Sequence, residues 1–152
     1  MALNIEALKE SSLIELEPRI LPVKRFINFV KESLMNGTDT ISRDILADWM
    51  FTIPVMYGEL RAMEAEFLLA VDLYDSEIEK VKADAQASKS VDMKVTEARA
   101  QAALLANDFQ VRQYVSKFMA RTINAYWSEL EMLIFSVRAL FESRNQKVNN
   151  DI

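Results

Sequence analysis

Asp72, Asp75 and Glu79 are the carboxylates best spaced to act together, since on a helix steps of three and four residues place them on one face. Such a trio is half of a helical metal cluster, but helical carboxylate centres add histidine, and this 152-residue chain has none. Lys82, one turn further on, offers a salt-bridge partner instead, so the trio reads as a solvated face. Glu15/Glu17, Glu64/Glu66, Glu77/Glu79 and Glu129/Glu131 are two residues apart and point to different sides of a helix. Without histidine or cysteine, Ser-His, Cys-His, zinc and disulfide chemistry are excluded. No glycine-rich phosphate loop, Walker motif or dinucleotide fingerprint is present. The expectation is a protein that is not an enzyme and carries neither metal nor cofactor.

The cations suggest phosphate. Lys80, Lys82, Lys89 and Lys94 bracket one segment, and Lys117 and Arg121 join Gln113, Asn124 and Ser128 in a polar stripe with Arg112 and Tyr114 at its margin. Repeated around a symmetric assembly, either group would hold phosphates without reading bases; the alternative is an ordinary solvated face. The net charge of −5 is uneven. Residues 54–98 carry 5 basic and 10 acidic side chains, whereas 99–147 carry 7 and 4, so nucleic-acid binding would have to come from a local patch. Most aromatic residues fall on apolar stripes, which favours packing over base stacking.

The elements that position these groups are dictated by where turn residues are lacking. The five backbone breakers, Pro18, Pro22, Gly37, Pro54 and Gly58, all precede residue 59. A chain that is 51% hydrophobic can build a core, and without turn residues in its last 94 positions it builds it from helices rather than sheets. The fold class expected is all-α, with short N-terminal helices followed by a long antiparallel helical hairpin. Leu3 to Leu16 forms a helix ended by Pro18; Pro22 opens a second with Val23, Phe26, Ile27, Val30 and Leu34 inward, stopped at Asn36-Gly37. Thr40 or Ser42 caps a third, and Pro54 breaks or kinks the helical pattern beyond it. Helical spacing resumes from Leu60 through Val81, residues 85–95 connect, and Thr96 caps the last helix. By segment, 1–53 is an N-terminal helical region, 54–148 the hairpin and oligomerisation region, and 149–152 a tail.

From Thr96 to Arg144 there is no breaker, and 49 residues of helix span ~73 Å. A compact globule of this chain length is roughly 40 Å across. Either the helix breaks near Asn107-Asp108, or its apolar faces need partners: the 54–88 helix and further subunits. Phe109, Met119, Ile123, Tyr126, Trp127, Leu130, Ile134, Val137 and Phe141 are the candidate residues of a homo-oligomer interface. Arg112 and Ser116 interrupt the same apolar series and could set register or subunit number. No uncharged apolar run reaches 18 residues and the N-terminus lacks a basic signal region, so no membrane is expected and the location is cytoplasmic.

Three stretches carry a resemblance. Tyr126-Trp127, followed after fifteen residues by Ser143-Arg144, resembles the C-terminal helix of the UvsY-type recombination mediators of tailed phages. Leu60-Arg61-Ala62-Met63-Glu64-Ala65 is similar to the start of the family's long helix, and Met93-Lys94-Val95-Thr96-Glu97 leads into Leu104-Leu105-Ala106-Asn107-Asp108 in a similar way. The likeness spans about residues 55–147. It implies a small, helical, oligomeric protein that binds single-stranded DNA and loads a RecA-like recombinase onto strands covered by single-strand-binding protein, in the host cytoplasm. Phe67 to Asp75 departs from the basic stretch of the family, with no cation and two aspartates. Residue patterning by itself leaves a different reading open: a helical protein–protein interaction module, such as a phage structural adaptor, chaperone or inhibitor, with no affinity for nucleic acid.

Overall fold

The computed structural model describes residues 4–87 and 95–150. They form three α-helices, α1 (Ile5–Met35), α2 (Arg43–Ala87) and α3 (Val95–Asn150), with one 3₁₀ turn at Thr38–Thr40; among the described residues there is no strand. The fold is all-α, with α2 and α3 packed against each other as a hairpin. The Asn4 side chain accepts from the amides of Glu6 and Ala7 at 3.0 and 3.3 Å, capping α1. At the far end α1 stops before Gly37, whose φ of +124° is open to glycine and strained for any other residue. Ser42 then caps α2, accepting from the Ile45 amide at 3.3 Å.

The prolines correct the sequence reading. Pro18 and Pro22 lie inside α1 and Pro54 inside α2, so the expected short N-terminal helices are two long ones and the boundary at residue 53 falls within α2. A proline deprives the carbonyl four residues earlier of its donor, which is tolerable where that carbonyl meets water. Ile14, Pro18 and Pro22 follow one another at four-residue steps on an exposed face, and Pro54 is exposed too. Thr96 is the second residue of α3 rather than its cap. Of the expected connection 85–95, residues 85–87 belong to α2 and Val95 to α3, while 88–94 lie outside the described residues. Helix α3 passes Asn107-Asp108 unbroken.

The chain divides into two compact units, one of residues 1–16 with 64–121 and the other of 17–63 with 122–152. In the first, the Gln113 side chain donates to Asp75 at 2.5 Å and the rings of Tyr74 and Phe109 lie 6.3 Å apart, setting α2 antiparallel to α3. Leu16, Val71, Ile78, Val111, Val115 and Met119 are buried there. In the second unit, Ile20, Val23, Ile27 and Val30 are buried along α1, at the three- and four-residue steps of an amphipathic helix. Buried opposite partners come from α2 (Leu46, Trp49, Ile53, Leu60) and α3 (Ile123, Leu130, Leu133, Val137). Each such side chain, once removed from water, contributes about 1.5–3 kcal/mol before the entropy of ordering it is subtracted. Lys31 and Glu129 bridge α1 and α3 at 2.6 Å, Phe29 meets Trp49 edge-to-face at 5.9 Å, and Arg144 donates to the Thr38 carbonyl.

Candidate nucleic-acid interface

The sequence-derived cations separate into two exposed groups in the first unit. Lys80 and Lys82 are exposed on α2, and Lys82 is paired with Glu79 at 2.7 Å. Lys117 and Arg121 are exposed on α3, and neither has an ion-pair partner among the described residues. Lys89 and Lys94 lie outside the described residues. With Gln113 level with Asp75, Lys117 is four residues along α3 in one direction and Lys80 five along α2 in the other. Those nine residues amount to about 14 Å of helix axis. The two groups therefore do not merge into one basic cluster, and α2 places Asp72, Asp75 and Glu79, all exposed, beside its own lysines.

What the structure adds to the α3 group is a lysine that sequence order hides. Lys9, from the second turn of α1, lies 5.0 Å from the centre of the Tyr114 ring and 5.2 Å from that of Phe118. Its hydrogen bond to Glu6 at 3.1 Å raises the ammonium above the ordinary lysine value, partial desolvation works against this, and Tyr114 adds in the raising direction. Tyr114, Lys117 and Arg121 fall at i, i+3 and i+7, so they share a face of α3, and Tyr114 is 49% exposed. Between Asp108 and Glu129 the chain contains no carboxylate. The result is a strip with two unpaired cations, a third shared with Glu6, and an accessible aromatic ring, able to hold phosphates and to stack an unpaired base. No local pattern links Lys9 to Tyr114 across 105 positions, so nothing short of the fold could have found it.

Residues chosen as subunit contacts have partners within the chain. Met119, Ile123, Leu130 and Val137 are fully buried or nearly so. Phe109 meets Tyr74, Tyr126 lies under Lys24 at 5.4 Å, and Phe141 lies under Arg43 at 5.7 Å. Trp127 is held between Tyr57, edge-to-face at 5.6 Å, and the Arg61 guanidinium at 4.7 Å. Ile134, half-buried, lines a groove of about 240 Å³ with Ile53, Pro54, Tyr57, Leu130 and Phe135. Met119, Ile123, Leu130 and Val137 thus leave no surface for a second subunit, whereas Phe109, Tyr126, Trp127, Ile134 and Phe141 are half-buried and keep part of theirs. Exposed apolar residues lie elsewhere, among them Phe51 and Val55 on α2 in the second unit and Leu68, Leu69 and Leu73 on α2 in the first.

Of the residues that carry the phage-mediator resemblance, Arg61, Tyr126, Trp127 and Arg144 all serve packing within the second unit. Among the described residues no three acidic side chains gather to hold a metal ion, and no helix is long and apolar enough to cross a membrane. No protein-family model matches the sequence, and no curated protein or solved structure is significantly similar to it.

Proposed function

We propose that this protein is a non-enzymatic helical scaffold that binds single-stranded DNA along the Tyr114–Lys117–Arg121 face of α3 and acts as a recombination mediator. The observation that carries the reading is that face: two exposed cations without carboxylate partners, an exposed tyrosine, and Lys9 over the same ring. Lysine and arginine neutralise phosphate regardless of sequence, and a tyrosine face accepts any unpaired base. Loading of a RecA-like recombinase onto strands coated with single-strand-binding protein, assembly with further copies of itself, and a place in the cytoplasm are drawn from the resemblance. Fluorescence anisotropy with a labelled oligothymidine tests the reading. The two unpaired cations meeting phosphate give a slope of log affinity against log salt of about −1.4, at roughly 0.7 per contact for single strands, and Lys9, held by Glu6, steepens it only if that pair opens. Lys117→Glu with Arg121→Glu removes the binding. No binding at low salt, or a double variant that binds as well as the parent, refutes the assignment.

A second reading has its own support. Leu69 and Leu73, one turn apart on α2 in the first unit, and Phe51 and Val55, likewise spaced in the second, leave apolar surface on the solvent side of a helix. A protein–protein docking module would use these residues and leave Lys117 and Arg121 silent. The double variant therefore separates the two readings.

A further inference from the structure

Arg112 and Ser116 break the apolar series of α3, and the structure shows where they go. In the first unit they line one small cleft of about 100 Å³ together with Ser12 from α1, Tyr74 from α2, and the apolar walls Leu8 and Val115. No carboxylate lines it. Ser116 is only 9% exposed, one of two polar residues in the buried set. Helical serines commonly satisfy their hydroxyl on the carbonyl one turn back, as Ser33 does on Phe29 at 2.8 Å and Ser136 on Met132 at 3.3 Å. Ser12 and Ser116 do not, and neither they nor Arg112 has a hydrogen-bond or ion-pair partner among the described residues. A guanidinium and two uncommitted hydroxyls thus converge from two helices on one cavity, with the tyrosine of a third in its wall. Arg112 is exposed and Ser12 half-buried, so the cleft is open to solvent and an acceptor can engage these donors without breaking a bond within the chain.

We infer that this cleft is a binding site for a phosphoryl group. Donors reaching it from two helices suit a tetrahedral oxyanion, whose oxygens point in several directions; a planar carboxylate would be satisfied by the guanidinium fork alone. The apolar walls keep the site narrow, so the group enters as a phosphate monoester or a chain end rather than as the middle of a strand. The site stands apart from the Tyr114 face and does not depend on it: Arg112 and Ser116 are one turn apart on the neighbouring face of α3. The phosphoryl group could belong to free phosphate or to the 5′ end of a nucleic acid, and the chemistry of recognition is the same.

Isothermal titration of the full chain, at constant ionic strength, tests this with three probes: inorganic phosphate, a thymidine oligonucleotide with a 5′-phosphate, and the same oligonucleotide without it. Saturable binding of inorganic phosphate, weakened about tenfold or more by Arg112→Ala and less by Ser116→Ala, supports the site. Acetate at equal concentration does not compete. A 5′-phosphate that adds affinity only while Arg112 is present identifies a strand end as the source; binding of phosphate alone identifies the free ion. Lys117→Glu with Arg121→Glu leaves inorganic phosphate binding in place, so loss of the DNA-binding face and loss of this site are read separately. Arg112 is exposed, so its alanine variant retains the fold, checked by circular dichroism. The inference is overturned if none of the phosphate-bearing probes shows Arg112-dependent binding, or if Arg112→Ala binds phosphate as well as the parent.

Discussion

Replacing Ile123 by alanine decides whether the long apolar stripe of α3 belongs to one chain or is shared between subunits. Ile123 is fully buried. Truncating a buried isoleucine to alanine costs about 2–5 kcal/mol, the upper part of that range where the cavity cannot collapse. With no exposed surface to relax into, about 3 kcal/mol is the expected loss. For a chain of this length each kcal/mol moves Tm by roughly 2–4 °C, so the variant should melt about 6–12 °C lower. The assay is thermal unfolding followed by far-ultraviolet circular dichroism at protein concentrations a hundredfold apart, with Phe135→Ala beside it. Phe135 is 63% exposed, and its truncation should stay within about 0.5 kcal/mol of the parent. If Ile123 contacts only its own chain, the difference between Ile123→Ala and the parent is the same at both concentrations. A loss below about 2 °C, or one that grows on dilution, would mean that its burial is completed by another subunit and that the intrachain assignment is wrong.

The two glycines should respond to alanine with opposite signs in the same assay. Gly37→Ala meets no atom within 4 Å, so its penalty is that of the backbone at φ +124°, about 1–3 kcal/mol; Gly58→Ala, inside α2 with equally open space, should gain about 0.5–1 kcal/mol. Equal effects at the two sites would contradict the geometry at Gly37. Stability should also fall in strong alkali: the Lys24 ammonium, hydrogen-bonded to both Glu17 oxygens at 3.0 Å and lying against Tyr126, has its pKa raised in the folded chain. A raised pKa means a contribution fully present below the ordinary lysine value and lost as pH climbs through the folded one. Melting curves between pH 8 and 11.5 should therefore show a decline that Lys24→Met reduces, and an undiminished decline in that variant counts against the pairing.

The helical class was legible because the absence of breakers after Gly58 is a strong statement about turns, and the spacing of Val23, Ile27 and Val30 or of Leu60, Met63 and Val71 marks the buried faces correctly. The prolines misled because sequence shows that an amide is missing but not whether the residue losing its donor lies at the surface; Ile14 and Pro18, which lose theirs to Pro18 and Pro22, are both exposed, and the helix continues through them. Legibility at the candidate sites obeys the same division between local and distant. Lys117 and Arg121 share a stripe that spacing along one helix reveals. Lys9 over Tyr114 and Ser12 beside Arg112 depend on α1 returning to α3, and no sequence period encodes that pairing. What the sequence did carry was an anomaly: polar Arg112 and Ser116 where apolar residues belonged, which a two-helix picture assigns to register and a three-helix unit resolves as the wall of a cleft.

An acidic protein can still present an attractive face to phosphate, and the charge layout shows how. Salt at about 0.15 M screens exposed charges beyond roughly 8 Å, so a strand on α3 responds to the side chains of its own neighbourhood rather than to the net −5. Around Tyr114 those are Lys117, Arg121 and Lys9, the last shared with Glu6 at 3.1 Å, while Asp75 is engaged by the neutral Gln113 amide. On α2 the reverse holds: Lys82 spends its charge on Glu79, and Asp72, Asp75 and Glu79 surround what remains. Helix α2 is therefore poorly suited to nucleic acid and, with Leu69 and Leu73 exposed, better suited to protein. The mediator role proposed above would require a strand and a protein to be held at once, and the surfaces suited to each lie on different helices of the same unit.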